Sequence, residues 1–215
     1  MNLDEKIINA LKDLDYKEAT EIQKKAIPVA LKKRDILAAA QSGTGKTAAF
    51  LLPILTELLA NKQANKPILR ALILVPTREL ATQISKAVDD FSKYMEVESL
   101  AMVGGVSTKD QEKKIAKGLD ILVATSGRLM EHLKNGTVDL SSVTTVVIDE
   151  VDTMLDMGFL EDIEKILPSV GPKRQIMMFS ATMNQNVKKL AKEFLTDPVV
   201  IEVAQQRSAV KIIDQ

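Results

Sequence analysis

The segment Ala40–Thr47, which reads AQSGTGKT, decides the fold that this chain can adopt. The short apolar run Asp35–Ala39 precedes it, and a helical pattern begins directly after it. A strand, a glycine-rich turn and a helix in this order form the setting of a phosphate-binding loop. Gly43 and Gly45 allow the backbone to curl so that several N–H groups point at one anion, and the dipole of the following helix adds to the attraction. The segment therefore predicts a nucleotide-binding site in an α/β fold.

A second segment, Thr144–Glu150, supplies the acidic half of such a site. It reads TTVVIDE, the pattern of a buried strand that ends in two carboxylates. Asp149 would hold Mg²⁺ through water, Glu150 would orient or deprotonate the attacking water, and Lys46 would reach the β- and γ-phosphates of a nucleotide. The predicted catalytic residues are Lys46, Asp149 and Glu150, the predicted Mg²⁺ ligands are Thr47 and Asp149, and the predicted nucleotide contacts of the loop are Ala40, Gln41, Ser42, Gly43, Thr44, Gly45, Lys46 and Thr47.

Two other interpretations of the glycine loop compete with this one. Ala40 stands where the common pattern has glycine, and Gly43–Ala48 also fits the dinucleotide fingerprint G-x-G-x-x-A. That fingerprint requires an acidic residue about 20 positions later, but residues 64–67 read ANKP. Glycine turns between a strand and a helix also occur in α/β folds without any ligand. The strand-borne Asp-Glu pair argues against both alternatives.

Composition bounds the class of protein. The chain has 215 residues, 46% of them hydrophobic, which suffices for one α/β domain with a full core. It contains no cysteine, so disulfides and thiolate metal sites are excluded and a reducing compartment is favoured. His132 is the only histidine, which argues against a histidine-based zinc site, and we expect it on the surface of a helix. The sequence starts without a signal peptide, and its longest apolar stretch, Ala48–Ala60, is too short to span a bilayer. A soluble cytoplasmic protein without a membrane partner is predicted.

The charge balance limits how nucleic acid could be bound. The chain carries 29 basic and 29 acidic residues, which argues against a broad cationic surface and in favour of specific local contacts. It has only two Tyr, five Phe and no Trp, so a platform of aromatic residues that stack on bases is not expected.

Apolar strands and amphipathic helices alternate along the chain. Most candidate strands are nearly continuous apolar runs, as strands that are covered on both faces require. This alternation predicts a doubly wound, mostly parallel sheet flanked by helices, with ligands at the carboxyl edge of the strands. The predicted strands are Asp35–Ala39, Ala71–Pro76, Ser99–Val103, Ile121–Ala124, Val146–Asp149, Ile176–Ser180 and Val199–Val203, and the predicted helices are Glu5–Leu14, Glu21–Leu31, Thr47–Leu59, Glu79–Tyr94, Lys109–Lys117, Leu160–Leu167 and Asn184–Phe194.

Seven short segments follow one another along the chain: Tyr16 with Thr20, Ile22 and Gln23, then AQSGTGKT at 40–47, PTREL at 76–80, Gly104-Gly105, TSGR at 125–128, DEVD at 149–152 and SAT at 180–182. In this order they resemble the Q motif, the phosphate-binding loop and motifs Ia, GG, Ib, II and III of the DEAD-box RNA helicases. The chain is thus similar to the amino-terminal RecA-like half of such a helicase, with a tail after Thr196-Asp-Pro198 that looks most like the bacterial RhlE-type branch.

The resemblance implies roles for these residues. It implies that ATP and Mg²⁺ are the cofactors and that RNA is held through its sugar-phosphate backbone, without sequence preference, by loops that carry arginine, hydroxyls and glycines. Ser180 and Thr182 would bond Asp152 and connect the nucleotide site to the RNA side. The implied adenine-side contacts are Tyr16, Thr20 and Gln23, and the implied RNA contacts are Pro76, Thr77, Arg78, Gly104, Gly105, Thr125, Gly127 and Arg128.

Four positions depart from the family pattern. Val151 replaces alanine beside the catalytic acids, which adds bulk in a packed place. Ser126 replaces the proline of motif Ib and should loosen that segment, because proline fixes φ and serine does not. Asp15 and Ala19 replace the usual glycine and proline of the Q motif, and the family's upstream aromatic residue is missing.

The domain plan follows from the same resemblance. Residues 1–204 would form the first RecA-like domain, with the Q motif within 1–28, and residues 205–215 would begin an interdomain linker. The second RecA-like domain, an implied partner that carries arginine fingers and half of the RNA site, is absent from the sequence. We expect a monomer that hydrolyses ATP slowly by itself. Two rivals are a P-loop translocase or remodelling motor without an RNA role, and a non-catalytic RNA-binding module.

Overall fold

A seven-stranded parallel sheet forms the centre of the molecule in the computed structural model, which describes residues 3–61 and 67–203. The strand order is β3-β4-β2-β5-β6-β1-β7, and every strand pairing in these ranges is parallel. The strands are β1 (Ile36–Ala39), β2 (Ala71–Val75), β3 (Ser99–Met102), β4 (Ile121–Thr125), β5 (Thr145–Ile148), β6 (Gln175–Ser180) and β7 (Val199–Glu202).

Helices cover both faces of this sheet. Successive residues of a strand point to opposite faces, and in β1 the side chain of Ile36 joins one hydrophobic cluster while that of Leu37 joins the other. The first cluster packs against α1 to α4 and the second against α6 to α9. The helices are α1 (Glu5–Asp13), α2 (Glu21–Leu31), α3 (Lys46–Ala60), α4 (Arg78–Phe91), α5 (Thr108–Lys117), α6 (Ser126–Lys134), α7 (Val151–Asp156), α8 (Leu160–Ile166) and α9 (Gln185–Phe194).

The predicted doubly wound parallel sheet is confirmed, and each predicted strand exists with ends within one residue of the prediction. Two helices were not predicted: α6, which starts directly after β4, and the six-residue α7, which starts at Val151. Both begin inside segments that were read as loops after strands. Packing against the sheet supplies the stability that a short helix lacks.

The predicted linker at 205–215 lies outside the described residues. In the ranges that are described, no helix has both the length and the apolar character needed to cross a membrane.

Candidate nucleotide and nucleic-acid site

The strand order gathers the predicted site residues along one edge of the sheet. Strand β6 lies between β5 and β1, so Ser180 is flanked by Asp149 on one side and by the glycine loop on the other. The backbone N–H of Ala40 donates to the carbonyl of Ser180 at 2.9 Å and fixes the start of the loop. Strands β2, β4 and β3 continue the same edge, and the predicted RNA contacts follow their carboxyl ends.

The glycine loop has the backbone of a phosphate cradle. Gly43 and Gly45 adopt φ angles of 80° and 92°, the left-handed region in which side chains are strained. A Cβ atom added at Gly45 would also lie 2.4 Å from Nε2 of Gln23. Thr44 closes the turn through a 2.6 Å hydrogen bond from its hydroxyl to the carbonyl of Gln41. Helix α3 starts at Lys46, so its first N–H groups face the same space.

Lys46 and Asp149 form a buried pair at the centre of this space. Their Nζ and Oδ1 atoms are 3.7 Å apart, and the two side chains are only 6% and 4% exposed. Burial raises the pKa of Asp149 to about 6, although the charge of Lys46 and the N–H of Glu150 pull it down. Among the described residues, Nζ of Lys46 has no hydrogen-bond partner. A buried ammonium with unused donors is a site prepared for an anion.

The residues present fit a magnesium nucleotide. The ammonium of Lys46, whose hydrogen-bond donors are unused among the described residues, and the N–H groups of the loop suit phosphates. The hydroxyl of Thr47 and the carboxylate of Asp149 are oxygen ligands of the kind that Mg²⁺ takes beside phosphate oxygens and water. Residues 3–61 and 67–203 contain no group of three or more Asp, Glu or His placed to hold a metal alone.

Glu150 has a strained backbone beside the pair. Its φ of 55° and ψ of 49° are left-handed, a conformation that costs a non-glycine residue about 1–3 kcal/mol. Glu150 makes the turn from β5 into α7, and Ser42 Oγ lies 3.4 Å from its Oε1. The turn places the glutamate carboxylate at the glycine loop. Val151, the next residue, is fully buried in the second hydrophobic cluster.

The Q-motif residues divide into two groups. Gln23 is buried and donates from Nε2 to the carbonyl of Gly45 at 3.1 Å, while its Oε1 accepts the N–H of Thr20 at 2.9 Å. Gln23 and Thr20 therefore lie against the glycine loop, and their predicted contact with adenine stays a prediction. The ring of Tyr16 instead packs edge-on against Phe91 of α4, with ring centroids 5.7 Å apart. Its predicted contact with a nucleotide stays a prediction.

Asp152 connects α7 to the end of β6. Its Oδ2 accepts the N–H and the hydroxyl of Thr182, each at 2.9 Å. Burial would raise the pKa of Asp152, but these hydrogen bonds outweigh it and hold the pKa below its usual value. The hydroxyl of Ser180, fully buried at the end of β6, also lowers the pKa of Asp152. The acidic segment and the Ser-Ala-Thr segment are thus one connected unit.

Two of the residues predicted to contact RNA, Arg78 and Arg128, bind the loop that contains Gly104 and Gly105. Arg78, exposed at the start of α4, donates from Nη1 to the carbonyl of Gly104 at 3.1 Å. Arg128 was predicted on a loop, which is wrong: it lies in the first turn of α6. Its guanidinium donates to the carbonyls of Val103 and Val106 at 3.2 and 2.6 Å, and its side chain is only 10% exposed. Pro76 is buried directly after β2, Thr77 caps α4, and Thr125 and Gly127 flank the start of α6.

Two buried residues near this loop, His132 and Gln111, were not predicted to belong to the site. His132, expected on a helix surface, is completely buried and contacts Gln111 of α5 through its Nε2 atom at 3.0 Å. Burial, followed by the nearby charge of Arg128, lowers the pKa of His132. The helical spacing from Leu129 to His132 places both on one face, and that signal could have identified the histidine as buried.

A phosphate cradle, a buried lysine–aspartate pair and a strained glutamate on a doubly wound sheet define the class of P-loop nucleotide-binding domains. The profile of the family described as DEAD/DEAH box helicase matches residues 20–190. The chain belongs to this family and forms its amino-terminal, ATP-binding RecA-like half.

Individual relatives agree with this assignment. The chain is 44% identical over 204 residues to the probable ATP-dependent RNA helicase ddx27 of Dictyostelium discoideum, covering 94% of this chain and 26% of the relative. It is 42% identical to the DEAD-box ATP-dependent RNA helicase RhpA of Helicobacter pylori, covering 95% of this chain and 40% of that one. A crystal structure of a DEAD box protein from Methanococcus jannaschii superposes with a TM-score of 0.88 at 35% identity, over 95% of this chain and 55% of that one. The chain thus spans less than half the length of these two curated relatives.

Proposed function

We propose that this chain is the ATP-binding half of an ATP-dependent RNA helicase. The observation that carries the proposal is the ammonium of Lys46, buried 3.7 Å from Asp149 and without a hydrogen-bond partner in the described part of the chain. Its free donors lie where the glycine loop and the first turn of α3 converge. A phosphate group would satisfy all of these donors together.

Each residue has a distinct part in the proposed chemistry. Lys46 binds the β- and γ-phosphates, and Thr47 and Asp149 hold Mg²⁺, which when bound neutralises the charge of the phosphates. Glu150 orients and deprotonates the attacking water, because its turn brings the carboxylate beside the glycine loop. Thr20 and Gln23 border the nucleotide from α2, and Tyr16 would contact it only if its ring left Phe91. The remaining loop contacts are Ala40, Gln41, Ser42, Gly43, Thr44 and Gly45.

RNA is the proposed second substrate, bound along the loops after β2, β3 and β4. These loops offer glycine backbone and hydroxyls beside the nucleotide site, and Asp152, Ser180 and Thr182 are the proposed connection between the two. RNA would be held by its backbone without sequence preference. The proposed contacts are Pro76, Thr77, Arg78, Gly104, Gly105, Thr125, Gly127 and Arg128.

Full activity is proposed to need a second RecA-like domain. An arginine finger contributed by such a domain is worth about 10³–10⁵ in rate in related enzymes, so this chain alone would turn over slowly. We further propose a monomeric chain and a cytoplasmic location, in keeping with the cysteine-free sequence. The family assignment does not favour a translocase or remodelling motor without an RNA role.

Steady-state ATP hydrolysis with and without single-stranded RNA tests this proposal. The chain would be compared with a version extended by a second RecA-like domain, with Glu150→Gln in each as the inactive control. We expect RNA to stimulate hydrolysis only in the extended version. Strong RNA-stimulated turnover by the 215 residues alone would show that no second domain is needed. Stimulation by DNA or protein but not by RNA would overturn the proposed substrate.

A further inference from the structure

The loop from Val103 to Val106, here called the GG loop, is held by its carbonyl groups. The carbonyl of Val103 accepts two hydrogen bonds, from Nε2 of Gln111 at 3.1 Å and from Nε of Arg128 at 3.2 Å. Arg128 also binds the carbonyl of Val106, and Arg78 binds that of Gly104. The GG loop lies at the surface, with Gly105 and Val106 exposed. Hydrogen bonds from side chains of α4, α5 and α6 hold its backbone in place.

Gln111 differs from the two arginines because it is itself fixed. Its side chain is 2% exposed, and its Oε1 lies 3.0 Å from Nε2 of His132. The carbonyl of Val103 can only accept, so the amide NH₂ of Gln111 faces it and the amide oxygen faces the histidine. Nε2 of His132 therefore carries a hydrogen and donates to Gln111. On the other side of the ring, Nδ1 lies 2.7 Å from the hydroxyl of Thr137.

This order makes a chain of hydrogen bonds from the end of α6 to the GG loop. Thr137 orients the His132 ring, the ring orients the amide of Gln111, and the amide holds the Val103 carbonyl. A buried polar chain of this kind is costly unless every member is satisfied, and it then specifies one geometry. Hydrophobic contacts join α5 and α6 to the second hydrophobic cluster through Ile115 and Leu129. What the chain adds is the orientation of one carbonyl at the start of the GG loop.

We propose that Gln111 and His132 are positioning residues for RNA, which set the backbone of the GG loop in the geometry that receives a sugar-phosphate chain. Gly105, exposed with a φ of 78°, approaches Arg78 so closely that an added Cβ would lie 2.4 Å from its Nη1. The inference rests on the proposed RNA function.

The test separates positioning from simple stability. Gln111→Met removes the donor to Val103 and leaves Nε2 of His132 buried without an acceptor, so both melting temperature and RNA affinity should fall. In the double variant Gln111→Met/His132→Phe the unpaired donor is gone, and the Thr137 hydroxyl keeps the backbone carbonyl of residue 132 as its partner at 3.1 Å. The double variant should regain melting temperature without regaining RNA affinity.

RNA affinity would be measured on the full chain by fluorescence anisotropy with a labelled oligouridine, and nucleotide affinity with a fluorescent ATP analogue. The loss of one hydrogen bond to the loop predicts that both variants bind RNA about three- to tenfold more weakly, with nucleotide affinity unchanged. Gln83→Met, at an exposed position of α4, is the matched control and should bind RNA like the unsubstituted chain.

The outcomes are distinguishable. RNA affinity that recovers with melting temperature in the double variant would show that Gln111 and His132 are only structural, and equal RNA affinity in every variant would also overturn their positioning role. A chain that binds the nucleotide analogue but no RNA in any form would overturn the proposed RNA function, and the inference with it.

Discussion

The two halves of the sheet edge use their cations in opposite ways. At β5, β6 and β1, the ammonium of Lys46 is buried and has no hydrogen-bond partner among the described residues. At β3 and β4, the guanidinium of Arg128 is nearly as buried, yet it binds two carbonyls, the hydroxyl of Thr108 and the carboxylate of Glu131. The nucleotide half thus contains a cation whose hydrogen-bond donors are unused. In the proposed RNA half, the buried cation uses its donors to hold the surrounding backbone in place.

This difference changes the expected source of RNA binding. Donors that are already paired gain little by exchanging one acceptor for another. The loop N–H groups and the exposed Arg78 are then better placed to meet phosphates than the enclosed Arg128. Arg128 would act mainly by keeping the GG loop in place.

The largest effect is expected from removing the unused cation. Lys46→Met should reduce ATP hydrolysis by about a hundredfold or more, because a donor that stabilises charge in the transition state is lost. The melting temperature should also fall, because the substitution leaves the buried carboxylate of Asp149 without the ammonium 3.7 Å away, so hydrolysis is compared at temperatures where both variants are folded. Hydrolysis would be measured in the version extended by a second RecA-like domain, with Lys24→Met on the exposed face of α2 as control. Turnover close to that of the control would contradict the role of Lys46.

A pair of arginine substitutions sharpens the contrast within the RNA half. Arg128→Lys should lower the free energy of unfolding by about 2 kcal/mol, because several hydrogen bonds of a largely enclosed side chain are lost together. Arg78→Lys should change it by less than about 0.5 kcal/mol, because this exposed side chain makes one such bond. Urea unfolding of both variants gives the comparison. If Arg78→Lys proved the more destabilising, Arg78 would be the residue that holds the loop in place, and the proposed roles of Arg78 and Arg128 would be reversed.

Asp149 gives the nucleotide half a pH dependence with two opposite signs. Its folded-state pKa of about 6 lies above the ordinary value of 3.8, so its protonation stabilises the folded chain. That stabilisation is complete below the ordinary pKa and is lost as the pH rises through about 6. Binding of Mg²⁺ and nucleotide needs the carboxylate, so affinity should instead fall about tenfold between about pH 7 and pH 5.

Asp149→Asn provides the control for both trends. In this variant the additional stability at low pH and the loss of affinity between neutral and acid pH should both be absent. Calorimetric unfolding and binding of a fluorescent ATP analogue, each followed over the same pH range, measure them. Nucleotide affinity that stayed constant across that range in the unsubstituted chain would contradict the raised pKa.

The smallest effect is expected at Ser126, the first residue of α6. Its hydroxyl is buried and has no hydrogen-bond partner in the part of the chain that is described, and the preceding Thr125 has the extended backbone that proline requires of its neighbour. Ser126→Pro should therefore raise the free energy of unfolding by about 0.5–1 kcal/mol. Thermal unfolding measures this gain. A destabilised variant would show that the Ser126 N–H has a role at the helix start.

Much of this arrangement was predictable from the order of motifs. The strands were found because their apolar runs reflect burial on both faces, and the glycine loop was found because its glycines serve a backbone conformation that the structure contains at Gly43 and Gly45. The helices α6 and α7 were missed because each starts within a motif that was assigned to a loop after its strand, at Ser126 and at Val151. His132 was assigned to the surface because Gln111, the partner of its Nε2 atom, is remote in sequence.

The sequence by itself determined the α/β class, the parallel sheet and the family, and it predicted the residues of the nucleotide site, because these depend on local patterns and on spacing along the chain. Only the tertiary structure decided which cationic side chains have unused hydrogen-bond donors and which donate to neighbouring groups. Lys46 and Arg128 are both basic residues of a motif, and the sequence does not distinguish them in this respect. In the folded chain, Arg128 donates to the carbonyls of Val103 and Val106, which lie more than 20 residues earlier. Hydrogen-bond capacity is used up by neighbours in space, and those neighbours are known only once the chain has folded.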